Sequence, residues 1–298
     1  MRWSARWAGS SIALIARAAR RAIVSLYNSN DLTHAASIAY YALLSLFPFL
    51  LLAASILGSA TSNDHDRQAI LNFVFKYFPA QIEFVRAQLE ALQQSPVKFG
   101  IGGSLALIWA SLGVFMAVTS AVNEAWKVDK QRSFLKHRLV AFLMLATSGV
   151  LLILSVAVLA LVQFAETHRF ATLLTRFPAL DVFRSVILSY SASLLLMIVV
   201  GLILYFVPNA KVEMRDVWIG AVLTGLLWEG AFRGFGWYLG HSAGLTRMHG
   251  SIAGIVVFLL WVYISSVILL FGAEFTASYA RLRRHRPEGL PAAPSPRT

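Results

Sequence analysis

Residues 252–279 read IAGIVVFLLWVYISSVILLFGAEFTASY, 28 positions with one charged side chain, Glu274. A helix rises ~1.5 Å per residue and the hydrocarbon core of a bilayer is ~30 Å thick, so about 20 such residues cross it. Five earlier segments pass the same test: 34–58, 101–121, 139–164, 183–206 and 217–239. None alternates apolar and polar residues as a barrel strand does. The expected fold is therefore all-α, a polytopic membrane protein with six transmembrane helices. The whole chain agrees. Of 298 residues, 58% are hydrophobic and 13% charged, where soluble domains run roughly 45–50% and about a quarter. A soluble globular enzyme, a disordered tail protein and a fibrous repeat are excluded. Cysteine is absent, which removes disulfides, thiolate metal sites, a cysteine nucleophile and cysteine lipidation.

Charge orients the spans. Lys and Arg number 26 against 14 Asp and Glu. Segments 1–33, 122–138, 207–216 and 280–298 hold 17 of the basic residues, and the alternate set 59–100, 165–182 and 240–251 holds 7. The positive-inside bias places both termini in the cytoplasm. The same bias accounts for the arginines at membrane edges, so no nucleic-acid partner is expected. Residues 1–33 form a basic cytoplasmic arm. Within it, 11–27 interleave Ile12, Ile15, Ile23 and Leu26 with Arg17, Arg20 and Arg21, a helix expected to lie on the anionic lipids of the inner leaflet. Residues 34–279 are the transmembrane domain, and 280–298 a basic tail expected to be disordered. The outer loop 59–100 carries two helical stripes, Ile70, Phe73, Val74, Tyr77 and Ile82, Val85, Leu89, Leu92. They predict two short amphipathic helices.

No phosphate-cradling glycine motif, H-E-x-x-H or G-x-S-x-G occurs, and the seven histidines are never spaced as a metal pair on one helix. The expectation is a protein with no catalytic residue, no metal and no cofactor, not an enzyme. Polar groups at membrane depth are costly and draw the attention instead. Glu229 lies near the middle of the fifth span with Arg233 at i+4, an ion-pair spacing. Gly225, Gly230, Gly234 and Gly236 surround them, with Gly230 and Gly234 spaced for close helix approach. A structural pair, a polar cavity and a proton relay all fit, and 229–236 is a candidate for local unwinding. Glu274, beside Gly272, and Asn123 with Glu124 fall at one cytoplasmic level, as interfacial anchors or a cavity mouth. In the first span Tyr40, Tyr41 and Ser45 put hydroxyls in the cytoplasmic half and are expected to face the bundle interior. Pro48 predicts a kink, with Ser45 helping to satisfy the freed backbone.

These residues carry a resemblance. Residues 36–48, Ala-Ser-Ile-Ala-Tyr-Tyr-Ala-Leu-Leu-Ser-Leu-Phe-Pro, are similar to the YihY/BrkB family of bacterial inner-membrane proteins. Asn123-Glu124-Ala125-Trp126, Leu204-Tyr205 with Pro208, Trp218-Ile219-Gly220-Ala221 with Trp228, His249-Gly250-Ser251, Trp261-Val262-Tyr263 and Gly272-Ala273-Glu274 follow in the family's order. The likeness covers roughly 20–282. It departs at His249, where the family usually has tyrosine; imidazole can replace the hydrogen bond and adds pH sensitivity. The resemblance implies a six-span inner-membrane protein without a defined activity, in a family whose old label, ribonuclease BN, its sequence does not support. Two functions stay open: a transporter or lipid- and envelope-component-handling protein with a polar intramembrane cavity, or a non-transporting scaffold of an envelope complex. Its partners would be membrane lipids, a second copy, or an envelope protein.

Overall fold

The computed structural model describes residues 2–60, 101–128, 133, 135–136, 138–144, 146–147, 150, 196–241 and 243–284. Their regular structure is helical: α1 (Arg2–Asn28), α2 (Asp31–Ala60), α3 (Ile101–Ala125), α4 (Leu196–Phe206), α5 (Met214–His241) and α6 (Ala243–Arg284). No strand occurs among the described residues. Five of the expected spans meet a described helix wholly or in part, and 138–144 opens the remaining one, 139–164. By length and composition one described helix, Gly254–Arg284, is sufficient to cross a membrane; Leu112–Ala125 and Leu196–Phe206 are shorter apolar helices. The two amphipathic helices expected in 59–100, and the tail beyond Arg284, lie outside the described residues.

The long α6 is the hub, packed against α1, α2, α5 and α3, while α2 also lies along α3. Lipid tails are as apolar as leucine, so helices in a bilayer associate through close packing of small residues. The core obeys that rule. Ala35 and Ile38 of α2, Ala121, Val122 and Ala125 of α3, Leu204 of α4, Ala221 of α5, and Leu270 and Ala273 of α6 are buried together. The α5–α6 crossing is the tightest point. Thr276 of α6 sits against Gly220 of α5, and Thr224 of α5 sits against Gly272 of α6. Each threonine hydroxyl donates to the carbonyl one turn back on its own helix, Gly220 O and Gly272 O, at 2.7 Å. Two Gly-x-x-x-Thr pairs thus interlock.

Three sequence expectations change. The amphipathic segment 11–27 does more than face lipid: Ala18 and Ala22 are buried against Phe275 of α6, with Ile15 and Leu282 beside them. Two alanines one turn apart permit that approach, leaving Arg17, Arg20 and Arg21 on the exposed side. Tyr40 and Tyr41 do not turn inward; they are 57% and 40% exposed. The buried stripe of α2 is Asp31, Ala35, Ile38, Ala39 and Leu46, and at 100° per residue position 40 falls on the opposite face. Tyr41 instead lays its ring over Gly113 of α3. Helix α2 continues past Pro48 to Ala60, and Ser45 Oγ donates to Ala42 O at 3.0 Å. Helical side chains lean toward the N-terminus, so this hydroxyl reaches backward rather than to the carbonyl of Leu44 that proline displaces.

Candidate functional site

The charged residues gather where α1 turns into α2 and where α3 and α6 end, the side assigned to the cytoplasm by the charge bias. Helix α1 closes with Ser29 N bonded to Ser25 O at 2.8 Å, and α2 starts at once with His34 N on Asn30 O at 2.9 Å. This turn sets Asp31 at the first position of α2, completely buried, with its backbone N–H donating to Ser29 Oγ at 3.3 Å. Helix α3 ends in a Schellman motif: Val128 N bonds Asn123 O at 3.2 Å and Lys127 N bonds Glu124 O at 2.8 Å. Lys127 occupies the left-handed position usually given to glycine, with φ 51°. The motif fixes the two polar residues flagged in the sequence. Asn123 Oδ1 accepts from Asn209 N at 2.8 Å, tying α3 to the segment after α4. Glu124 Oε2 meets His34 Nε2 at 2.5 Å.

Glu274 completes the cluster from α6. It is 2% exposed, its Oε2 has no hydrogen bond, and Arg281 Nη2 stands 3.9 Å away while donating to Ser278 Oγ at 3.3 Å. Ser25, Asp31 and Lys127 also act on its charge. Burial pushes the Asp31 carboxyl above the usual carboxylate range; Ser29 and His34 oppose the shift and Glu124 adds to it. The sign for stability follows. A carboxyl raised in the fold favours folding fully below its ordinary value, and that contribution is lost as pH rises through the raised one. Asp31→Asn should therefore raise the thermal midpoint of the detergent-solubilised protein at neutral pH, with the gain disappearing toward pH 4; an equal gain at every pH would contradict it.

A second charge network lies alongside. Arg283 of α6 hydrogen-bonds Glu213, and its Nη1 is 3.2 Å from Oδ1 of buried Asp216 at the start of α5. Arg284 Nη2 donates to Lys211 O at 2.5 Å. The Arg283 bond holds Glu213 below its ordinary value, whereas burial holds Asp216 above, with Arg283 offsetting part of that.

At mid-α5, Arg233 Nε donates to Glu229 Oε1 at 2.8 Å, with the side chains 73% and 31% exposed. The helix is continuous through 229–236 rather than unwound, as an i,i+4 ion pair favours. No described residue lies within 4 Å of a Cβ built on Gly230, Gly234 or Gly236, whereas Gly225 packs on Met197 of α4 and Gly272 on Thr224. The spacing of glycines 230 and 234 is therefore not a seam among the described residues; the close approach occurs at Gly220 and Gly272. Beside the ion pair, Trp228, Phe232 and Phe235 ring Trp261 of α6, with centroids 5.2–5.8 Å from it. This cluster escaped the sequence because nothing in one dimension aligns Trp261 with α5. His249 falls within α6, and its side chain lies outside the described residues. Among the described residues no group of histidines and carboxylates could hold a metal ion.

Known proteins are similar to this sequence. The family model described as Virulence factor BrkB matches residues 23–296. A UPF0761 membrane protein of Alkalilimnicola ehrlichii is 29% identical over 87% of this chain and 57% of its own length. A UPF0761 membrane protein of Legionella pneumophila is 28% identical over 90% and 63%. The chain thus spans about three fifths of these two relatives. A Bacillus subtilis protein named as ribonuclease-like is 30% identical over 81% of this chain and 87% of its own. No solved structure matches the chain significantly. Helices that pack through alanine, glycine and threonine, an apolar hub helix and a match covering most of the chain agree: the protein is a membrane protein and belongs to the BrkB family.

Proposed function

We propose that this protein moves a polar-headed lipid or other envelope component along or across the bacterial cytoplasmic membrane. It does so as a six-span helical bundle with both termini in the cytoplasm, and not as an enzyme. The observation that carries the reading is the Glu229–Arg233 pair at mid-α5, on a glycine face left uncovered by the described residues. A charged pair at membrane depth costs several kcal/mol unless protein, water or a polar headgroup receives it. Arg233, 73% exposed, is the member open to a headgroup, and the glycines leave room for one. On α1, exposed Arg17, Arg20 and Arg21 meet anionic lipid at the inner surface. The ribonuclease-like name of one relative has no counterpart in a metal-holding cluster of carboxylates among the described residues.

The test is flux in proteoliposomes. Fluorescent phosphatidylethanolamine and phosphatidylglycerol, scored by quenching from outside, should move across with the native protein. Glu229→Gln and Arg233→Ala should each slow the movement about tenfold, the effect of ~1.4 kcal/mol on a barrier. Unchanged flux in both variants would point to a scaffold for an envelope complex instead.

A further inference from the structure

Helix α1 carries five arginines and no acidic residue. Its described side chains divide into two faces. Ala18 and Ala22 are buried against Phe275 of α6, with Ile219 and Leu223 of α5 alongside. Arg17, Arg20 and Arg21 are exposed, as are Ile23, Val24 and Tyr27, the last at 81%. At ~100° per residue this outer face is itself divided. Arg17 and Arg21 line one flank, Ile23 and Tyr27 the other, and Arg20 and Val24 lie between. The arginines are neighbours at i,i+3 and i,i+4, where like charges repel. None of the three has a hydrogen bond or ion pair among the described residues. The arginines that end α6 differ: Arg281 donates to Ser278 Oγ, Arg283 to Glu213 and Arg284 to Lys211 O. One set of guanidiniums holds the protein together, and the other is kept outward. Three unneutralised guanidiniums beside a strip of apolar side chains complement a phosphate that carries acyl chains. A soluble polyanion would engage the arginines and leave Ile23, Val24 and Tyr27 unused.

We infer that the outer face of α1 binds an anionic phospholipid of the phosphatidylglycerol type, held as a resident ligand and not carried as cargo. Its phosphate takes the planar forks of Arg17, Arg20 and Arg21, and its acyl chains run along Ile23, Val24 and Tyr27. The bound anion offsets the mutual repulsion of the three arginines within α1. That helix is docked on α6 through the small side chains of Ala18 and Ala22, so neutralising its outer face stabilises the α1–α6 contact. The anionic lipid content of the leaflet thereby sets how firmly α1 is held against the bundle. The site requires that the chain lies in a membrane; it does not rest on the transport proposed above.

Thermal midpoints of the full chain in neutral detergent, read against added lipid, provide the test. Phosphatidylglycerol should raise the midpoint where phosphatidylcholine with the same acyl chains does not, and native mass spectrometry should retain the former selectively. Arg17→Gln, Arg20→Gln and Arg21→Gln together should weaken the apparent affinity about a hundredfold, the effect of three basic residues at an anionic surface. Lysine at all three positions keeps the charge and should retain most of the affinity. Should the triple glutamine variant fail to fold, Arg20→Gln, opposite Ala18 and Ala22, reads the loss at about fivefold. No preference for phosphatidylglycerol, a preference that the glutamine variants keep, or a lysine variant as weak as the triple glutamine one overturns the proposal. So does equal stabilisation by inorganic phosphate or by a short single-stranded RNA, which marks a site for soluble anions. A protein that binds phosphatidylglycerol in this way but shows no flux keeps the site and removes only the transport reading.

Discussion

Gly220→Leu should drive α5 off α6 and leave little folded protein in detergent extracts. A Cβ at that position would fall on Thr276 Oγ1 and 3.3 Å from Thr276 Cβ. The threonine has nowhere to turn, because its hydroxyl is bonded to Gly272 O at 2.7 Å and its residue is fully buried. Gly272 is closed in the same way by Thr224, whose Cβ and Cγ2 would lie 3.1 and 3.2 Å from an added Cβ. Extra carbon forced into a packed core costs about 1–3 kcal/mol and sometimes more. Gly220→Ala should fall in that interval, and leucine above it. The decisive control is compensation. Gly220→Ala combined with Thr276→Gly should recover most of the thermal midpoint lost by Gly220→Ala alone, as read by size exclusion after heating. Losses that simply add would show that the two residues do not share one space.

The second large effect is at Arg283. Arg283→Met removes the guanidinium beside Asp216, which is completely buried, and the hydrogen bond to Glu213. Breaking a buried pair from one side costs about 3–5 kcal/mol. Arg283 is 26% exposed, so water replaces part of its contribution and about 2–3 kcal/mol is expected. The loss should depend on pH. Burial already raises the Asp216 carboxyl and Arg283 offsets it; without Arg283 the carboxyl rises further, and stability is lost as pH climbs through the raised value. Glu213 has the opposite sign: held low by Arg283, it stabilises above its ordinary value and ceases to as pH falls through the lowered one. Thermal midpoints of Arg283→Met should therefore lag the native protein most at neutral and alkaline pH. Asp216→Asn in the same chain should restore part of the difference. A deficit independent of pH, without rescue by Asp216→Asn, would mean that the arginine acts through packing of its stem.

Part of the candidate site was legible beforehand. Glu124 and Glu274 stand out as carboxylates at one level of two hydrophobic segments, and both enter the inner cluster. Asp31 does not stand out. An acidic residue in the first turn of a helix is ordinarily a solvated partner of the helix dipole, and nothing near Asp31 in the chain says otherwise. It is nonetheless completely buried in the folded chain, at the turn from α1 into α2. Tyr40 and Tyr41 show the reverse error. Their hydroxyls suggested an inward face, but the buried stripe runs through Ala35, Ile38 and Leu46, leaving Tyr40 outward and Tyr41 partly exposed with its ring over Gly113 of α3.

The sequence by itself determined that this is an all-helical membrane chain and which ends of its helices are basic. Hydropathy and charge accumulate along one segment at a time, so a one-dimensional count reads them. The tertiary structure alone decided which small residues interlock and which acids lose their water. Small residues spaced i,i+4 recur throughout α5 and α6, and only the register of one helix against the other selects Gly220 with Thr276 and Gly272 with Thr224. Burial of Asp31 likewise is complete only in the folded chain, and no single segment contains that information.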